Sequence, residues 1–460
     1  MNMSSQIERS VFRILLYGNN ASELLVEITD RGLRLPSLEI PLHVRVAKEI
    51  TSAILISWNL KTCCLFPRVH SLSPDTCIRY QVLEICEPQQ RPPVNMRWIA
   101  IATMSDGVFD DNRDSTIVRE SLEVIERYRT NSLPGPFAKP GWMRTVQQWA
   151  EQALTELHLS GVFHQFNASP TFSLIRFETN GPSLWFKAVG EPNIHEYSIT
   201  TALANLVPGF VPNVLAARPD WNAWLSVEAE GVHLTGTSTP EDWRKTATAL
   251  ANLQIASIGH GLHLINAGCR DLRYCSLRTN VEPFFNRMAD LMKRQTKPEP
   301  APLTQSELVA LAGQITLALE QLNASEIPNV LGHLDMNPGN VLVSEVRCIF
   351  LDWAEGCVGH PFLTFQYLLE NWRRFHGTDV NAENALLSAY TEPWRSLVSP
   401  QNIARDLQAA PLLAVFAYAV ANPDWEILAH PESFARLRSL TRRMRREVEA
   451  FSKRSFTCVN

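Results

Sequence analysis

Residues 331–362 read LGHLDMNPGNVLVSEVRCIFLDWAEGCVGHPF, and this stretch decides how the chain is understood. His333, Asp335 and Asn340 are spaced as HxDxxxxN, and Asp352 follows Asn340 by twelve residues at the end of an apolar run. Two short apolar segments, 341–343 and 348–351, flank a polar turn, a hairpin pattern that returns the chain on itself. Asp335, Asn340 and Asp352 therefore come to face one space. Three fixed positions alone arise by accident, but a hairpin, Asp352-Trp353 and Gly359-His360-Pro361 in one register do not.

The residue types suit phosphoryl transfer. That reaction needs a carboxylate aimed at an acceptor hydroxyl and oxygen ligands that hold a metal against phosphates. Magnesium takes few protein oxygens, with phosphates and water completing its shell, so an Asn–Asp pair fits it. The segment resembles the catalytic and metal-binding loops of the aminoglycoside phosphotransferase and choline kinase branch of the kinase-like fold. Their usual form is HGDLHPGN, a hairpin, then an apolar run ending in DW or DF. Leu334 stands for the usual glycine and Asn337 for the usual histidine, and neither change removes a catalytic heteroatom. The resemblance implies Asp335 as catalytic base, Asn340 and Asp352 as magnesium ligands, and His333 as a support of the loop backbone. Glu355 has two readings, a further acid near the metal or a solvated residue ahead of Gly356.

Upstream, Lys187 in SLWFKAV lies mid-strand, an awkward place for a charge unless it points into a cleft. Glu196 opens a helical pattern nine residues later. By resemblance, Lys187 and Glu196 form the strand–helix ion pair that sets a cation on the ATP phosphates; read alone, they are an edge lysine and a helix-start acid. No glycine-rich loop is present. The segment 167–171 is NASPT, which leaves the backbone of Ala168 and Ser169 to meet phosphate. The strand 224–227, at the interlobe hinge by resemblance, assigns Ser226, Val227 and Glu228 to adenine.

The resemblance spans 162 to the C-terminus. It implies an α+β, two-lobed protein-kinase-like fold, with a β-rich lobe at 142–230 and a helical lobe at 231–460. Hairpin strands at 172–177 and 184–188, a helix at 193–206, a cap at Thr239-Pro240 and a capping box at Thr304–Glu307 fit that order. The stretch 436–446, RLRSLTRRMRR, reads as a helix with an apolar stripe and solvated arginines.

Ahead of it, 131–141 (NSLPGPFAKPG) holds three prolines and two glycines in eleven residues and reads as a linker. The region 1–130 is a small α/β domain, with strand runs at 11–17, 24–28, 63–66, 78–85 and 98–103 and helices at 44–58 and 115–128. Residues 35–60 resemble a degenerate Nudix helix. Of its acids only Glu49 survives beside Lys48, and Thr51-Ser52-Ala53 replace the metal-binding glutamates, so no diphosphate hydrolysis is expected.

The chain has 460 residues, too many for one core, with 45% hydrophobic and 19% charged residues and a net charge of −5. That balance gives no sign of a nucleic-acid or membrane partner. Nine scattered cysteines without a CxxC pair read as reduced thiols, and the start lacks a signal-peptide layout, which together imply a cytoplasmic protein. The expected function is ATP- and Mg²⁺-dependent phosphorylation of a hydroxyl of a small molecule, a metabolite or an aminoglycoside-like compound. The alternative is a nucleotide-binding pseudokinase scaffold whose N-terminal domain senses a ligand. Neither the acceptor nor the oligomeric state is readable.

Overall fold

The computed structural model describes residues 9–41, 44–73, 76–87, 90–104, 107–427 and 431–457. The chain forms two compact units, one of residues 1–197 and 213–228 and the other of 198–212 and 229–460.

The first unit is built on two sheets. In one, Arg9–Gly18 runs parallel to Thr76–Ile85 and antiparallel to Glu23–Thr29 and Ser37–Pro41, while Thr62–Ser73 pairs with the outer side of Thr76–Ile85. The other is antiparallel, in the order Val214–Arg218, Ala223–Val227, Leu184–Ala188, Ser173–Thr179 and Leu159–Ala168. Leu184–Ala188 alternates buried and half-buried residues, as a period-2 strand at the middle of a sheet must. The strand Leu159–Ala168 escaped the sequence reading, because Gly161 at φ +86° and two register shifts break its alternation.

The two sheets share one core. Leu15, Tyr17 and Val82 from the first cluster with Ile175, Phe177 and Phe186 from the second. Between them lie Phe137 and Trp142, with ring centroids 5.4 Å apart, and Phe137 stands 5.9 Å from Phe186. The proline-rich stretch 131–141 is thus packed, with Phe137 and Ala138 buried. A polar clamp adds to this. The buried Gln165 side chain accepts the N–H of Cys64 at 2.7 Å and donates to the Cys64 carbonyl at 3.1 Å. It satisfies both backbone groups where a register shift interrupts the ladder after Cys64.

The second unit is helical around two small three-stranded sheets. Thr239 and Asp242 close a capping box on Pro240–Ala256, and Thr304 with Glu307 does the same for Gln305–Asn323. Pro400–Ala421 is long and apolar enough to cross a membrane, and 67% of its apolar window is buried inside the unit, where Leu413 and Phe416 pack. The arginine-rich helix Pro431–Thr457 buries Leu437 and Met444. Its arginines reach back to the unit, Arg443 to Glu370 and Arg445 to Glu307 at 2.7 Å. The fold class is α+β, with a strand-rich part followed by a helical one.

Candidate active site

Val330–His333 leads into the loop that carries Asp335. This strand is wholly buried, and its backbone is fixed by side chains distant in sequence: Leu331 N–H donates to the Ser257 hydroxyl at 2.9 Å and His333 N–H to that of Thr364 at 3.1 Å. Beyond the loop, Pro338–Asn340 forms a short turn, and the hairpin Val341–Val343 with Cys348–Phe350 follows. The pairing extends one step past the hairpin, since Leu351 N–H donates to the Asn340 carbonyl at 2.8 Å. Leu351 therefore stands opposite Asn340, and Asp352 is the next residue along although twelve positions separate it from Asn340.

His333 joins the two loops. Its Nδ1 accepts the N–H of Asp335 at 3.1 Å, so Nε2 carries the proton and donates to the Leu351 carbonyl at 3.0 Å. Burial holds its pKa below the ordinary histidine value, which keeps this neutral tautomer. The expected backbone role of His333 has this geometry. Asn340 Nδ2 donates to Asp335 Oδ2 at 3.0 Å and to the Asp335 carbonyl at 3.1 Å. The amide nitrogen of Asn340 is thus engaged twice by Asp335. Asp352 has φ +62°, a left-handed conformation that aspartate tolerates better than most residues. Its side chain is exposed.

Three anchors of this loop carry no sequence signal. His233 Nδ1 bonds the Gly339 carbonyl at 2.8 Å, Asn371 donates to the Met336 carbonyl at 3.0 Å, and Leu334 donates its N–H to the Glu355 carbonyl at 3.1 Å. Leu334, in place of the usual glycine, is buried. Glu355 is half-buried, its Oε2 lies 3.9 Å from Arg270, and burial raises its pKa above the ordinary glutamate value.

In the first unit, Lys187 lies between Leu174 and Trp224 on a central strand, with Nζ 2.5 Å from the Glu196 carboxylate. Glu196 is buried at the start of helix Glu196–Leu206. The structure brings this predicted pair together.

Four other sequence expectations meet a different arrangement. The Ser169 N–H donates to the Phe172 carbonyl at 3.0 Å and its hydroxyl accepts the Phe172 N–H, so a tight turn engages the amide expected for phosphate. That turn is packed: Phe137 N–H donates to the Pro170 carbonyl, and a Cβ on Gly190 would meet the Thr171 side chain at 2.4 Å. Val227 N–H donates to Asn213 and Glu228 N–H to Ser183, while Ser226 pairs with Trp185 in the sheet. These two hinge amides are therefore closed to adenine. The Glu228 carboxylate receives Arg176 at 2.7 and 2.8 Å and the Trp185 indole at 3.0 Å, and Arg176 holds it below the ordinary glutamate range.

Residues 199–397 match the family model described as the phosphotransferase enzyme family, APH. The likeness to that family is carried by this segment. The matched segment contains Asp335, Asn340 and Asp352 within its limits. Among solved structures, the chain is similar to a macrolide 2'-phosphotransferase of Brachybacterium faecium, at 17% identity over 65% of this chain and 98% of that one, with a TM-score of 0.43. It is also similar to an ethanolamine kinase of Plasmodium vivax (12% identity, 72% and 94% covered, TM-score 0.48) and to a choline kinase of Streptococcus pneumoniae (14%, 68% and 99%, 0.43). No curated protein matches the sequence.

Proposed function

We propose that the protein transfers the γ-phosphoryl group of ATP to a hydroxyl of a small molecule, with Mg²⁺ as cofactor. The observation that carries this is the join made by His333 and Leu351, which sets a carboxylate, an amide and a second carboxylate on adjoining loops of the family segment. The donor set suits magnesium, being few, hard and oxygen-based, and Asn340 meets Asp335 through its amide nitrogen rather than through Oδ1. Bound there by Asn340 and Asp352, the ion would neutralise charge on the phosphates. Asp335 orients the acceptor hydroxyl and takes its proton as the new O–P bond forms and ADP departs. The Asn340 amide hydrogens fix the Asp335 carboxylate for that role. Lys187, held by Glu196, supplies a cation for the α- and β-phosphates.

The test is Asp335→Asn, which keeps size and removes basicity. MgATP affinity should hold while turnover falls by about two to four orders of magnitude. Unchanged turnover would place the chemistry elsewhere. A second reading, a nucleotide-binding pseudokinase, draws on the closed 169–172 turn. It predicts ATP binding with no transfer to any acceptor in the wild-type chain.

A further inference from the structure

Asp335 follows one end of the sheet Arg270–Leu272, Gly356–Gly359 and Val330–His333. Arg270 stands opposite Cys357, and Cys357 opposite Gly332, so Arg270 and the start of the catalytic loop share that sheet end. The Leu334 bond to the Glu355 carbonyl brings Glu355 there too. Helix Pro400–Ala421 packs against both Arg270–Leu272 and Pro431–Thr457, and it presents the exposed Tyr418, whose ring lies 5.9 Å from that of Tyr367. Burial and then the charge of Glu355 raise the Tyr418 pKa, Arg436 opposes the shift, and Asp335 and Arg270 act on it in turn. Arg270, Glu355 and the start of the Asp335 loop thus share one sheet end, Tyr418 lies on the helix packed against Arg270–Leu272, and Arg436 lies on the helix packed against that one.

Arg270 and Arg436 differ from the other arginines near them. Arg438, Arg442, Arg443 and Arg445 all hydrogen-bond within the unit. Arg270 has an ion pair with Glu355 at 3.9 Å and Arg436 one with Asp424 at 3.7 Å, both beyond hydrogen-bond length. Their side chains are 33% and 46% exposed. A guanidinium offers five donors in a planar fork that matches a carboxylate or phosphate. Among the described residues neither has an acceptor within hydrogen-bond distance, so the two guanidiniums are placed to take an oxyanion. Glu355 and Asp424 each already have a guanidinium within 4 Å, so neither calls for an incoming ammonium, which would meet like charge there.

We propose that Arg270 and Arg436 hold an anionic group of the acceptor, a carboxylate or phosphate ester, while Asp335 addresses a hydroxyl of the same molecule. The acceptor is then an oxyanion-bearing alcohol, such as a hydroxy acid, a sugar acid or a sugar phosphate. The inference rests on the phosphotransfer reading of Asp335. In the step itself the acceptor oxygen bonds to the γ-phosphorus, the bond to the β-phosphate oxygen breaks, ADP leaves and the hydroxyl proton passes to Asp335.

The experiment gives the full chain MgATP with hydroxy acids, sugar acids and sugar phosphates, each paired with its uncharged and its amino counterpart. Product mass and ADP release are read. Anionic members should be phosphorylated in preference, and the carboxylate and phosphate arms show which oxyanion is used. Arg270→Gln and Arg436→Gln should each raise the KM for that acceptor by about 10- to 100-fold, the scale of a lost charge-assisted contact, with a smaller fall in kcat. Arg270→Lys and Arg436→Lys should recover part of it, and melting curves confirm that every variant folds. Preference for the uncharged or amino members, or a KM unmoved in both Gln variants, overturns the inference and leaves the phosphotransferase reading standing. ADP release absent with every member overturns both.

Discussion

The His333 imidazole donates to the Leu351 carbonyl at 3.0 Å while its other nitrogen accepts the Asp335 N–H at 3.1 Å, so one buried ring sets the spacing between two functional loops. Only the neutral ring does both. Its folded pKa lies below the unfolded value of about 6.5, with burial as the first cause. The unfolded chain therefore binds a proton first as pH falls. The stability from neutral His333 is full above about pH 6.5 and is lost as pH drops from there through the folded pKa. His333→Gln should flatten this part of a melting-temperature profile between about pH 7 and 5. It should also destabilise the protein by about 1–3 kcal/mol at neutral pH, from buried groups left unpaired. An unchanged profile would remove His333 from this account.

Asp352 combines a left-handed backbone with a proposed metal ligand, and the two properties separate by mutation. Asp352→Asn retains a residue that tolerates φ near +62°, so the melting temperature should hardly move. MgATP affinity should fall, and ATP affinity in the wild type should depend on Mg²⁺. Calorimetry with and without the ion checks both. Equal affinity in all four measurements would exclude the site.

Lys187→Met keeps the apolar stem on its central strand and removes the charge facing Glu196, which is 2% exposed. Breaking a buried pair from one side costs about 3–5 kcal/mol. The double variant Lys187→Met, Glu196→Met should recover much of that stability, and nucleotide affinity should stay low in both. Affinity restored together with stability would show that the pair serves only the fold.

Gln165→Leu removes both hydrogen bonds to Cys64 at nearly constant volume. The two orphaned backbone groups should cost about 2–4 kcal/mol. Because Phe137 and Ala138 are buried, the first proteolytic cuts should avoid 136–138. A chain beginning at Trp142 should aggregate, having lost Leu15, Tyr17 and Val82 from the shared core. Soluble, monomeric behaviour of that fragment would contradict a single core.

What the sequence discloses follows the range of the interactions. The Val341–Val343 hairpin and the Thr304 capping box were legible because local residue types dictate them. Lys187 was legible because a mid-strand charge is costly without a purpose. By contrast, Ser257, Thr364, Asn371 and His233 hold the catalytic loop from 74, 31, 35 and 106 residues away. No local pattern announces such contacts. The amides of Ser169, Val227 and Glu228 failed for a related reason. A donor looks available in sequence until the chain supplies its acceptor, here Phe172, Asn213 and Ser183.

The hairpin between Asn340 and Asp352 also bears on engineering. Its ladder and the Leu351–Asn340 bond set the separation of the two loops, whereas residues 344–347 only close the turn. Val346 there is 92% exposed. A reporter peptide inserted between Glu345 and Val346 would lengthen the tip and leave the paired strands in register, giving a permissive grafting point in the middle of the catalytic segment.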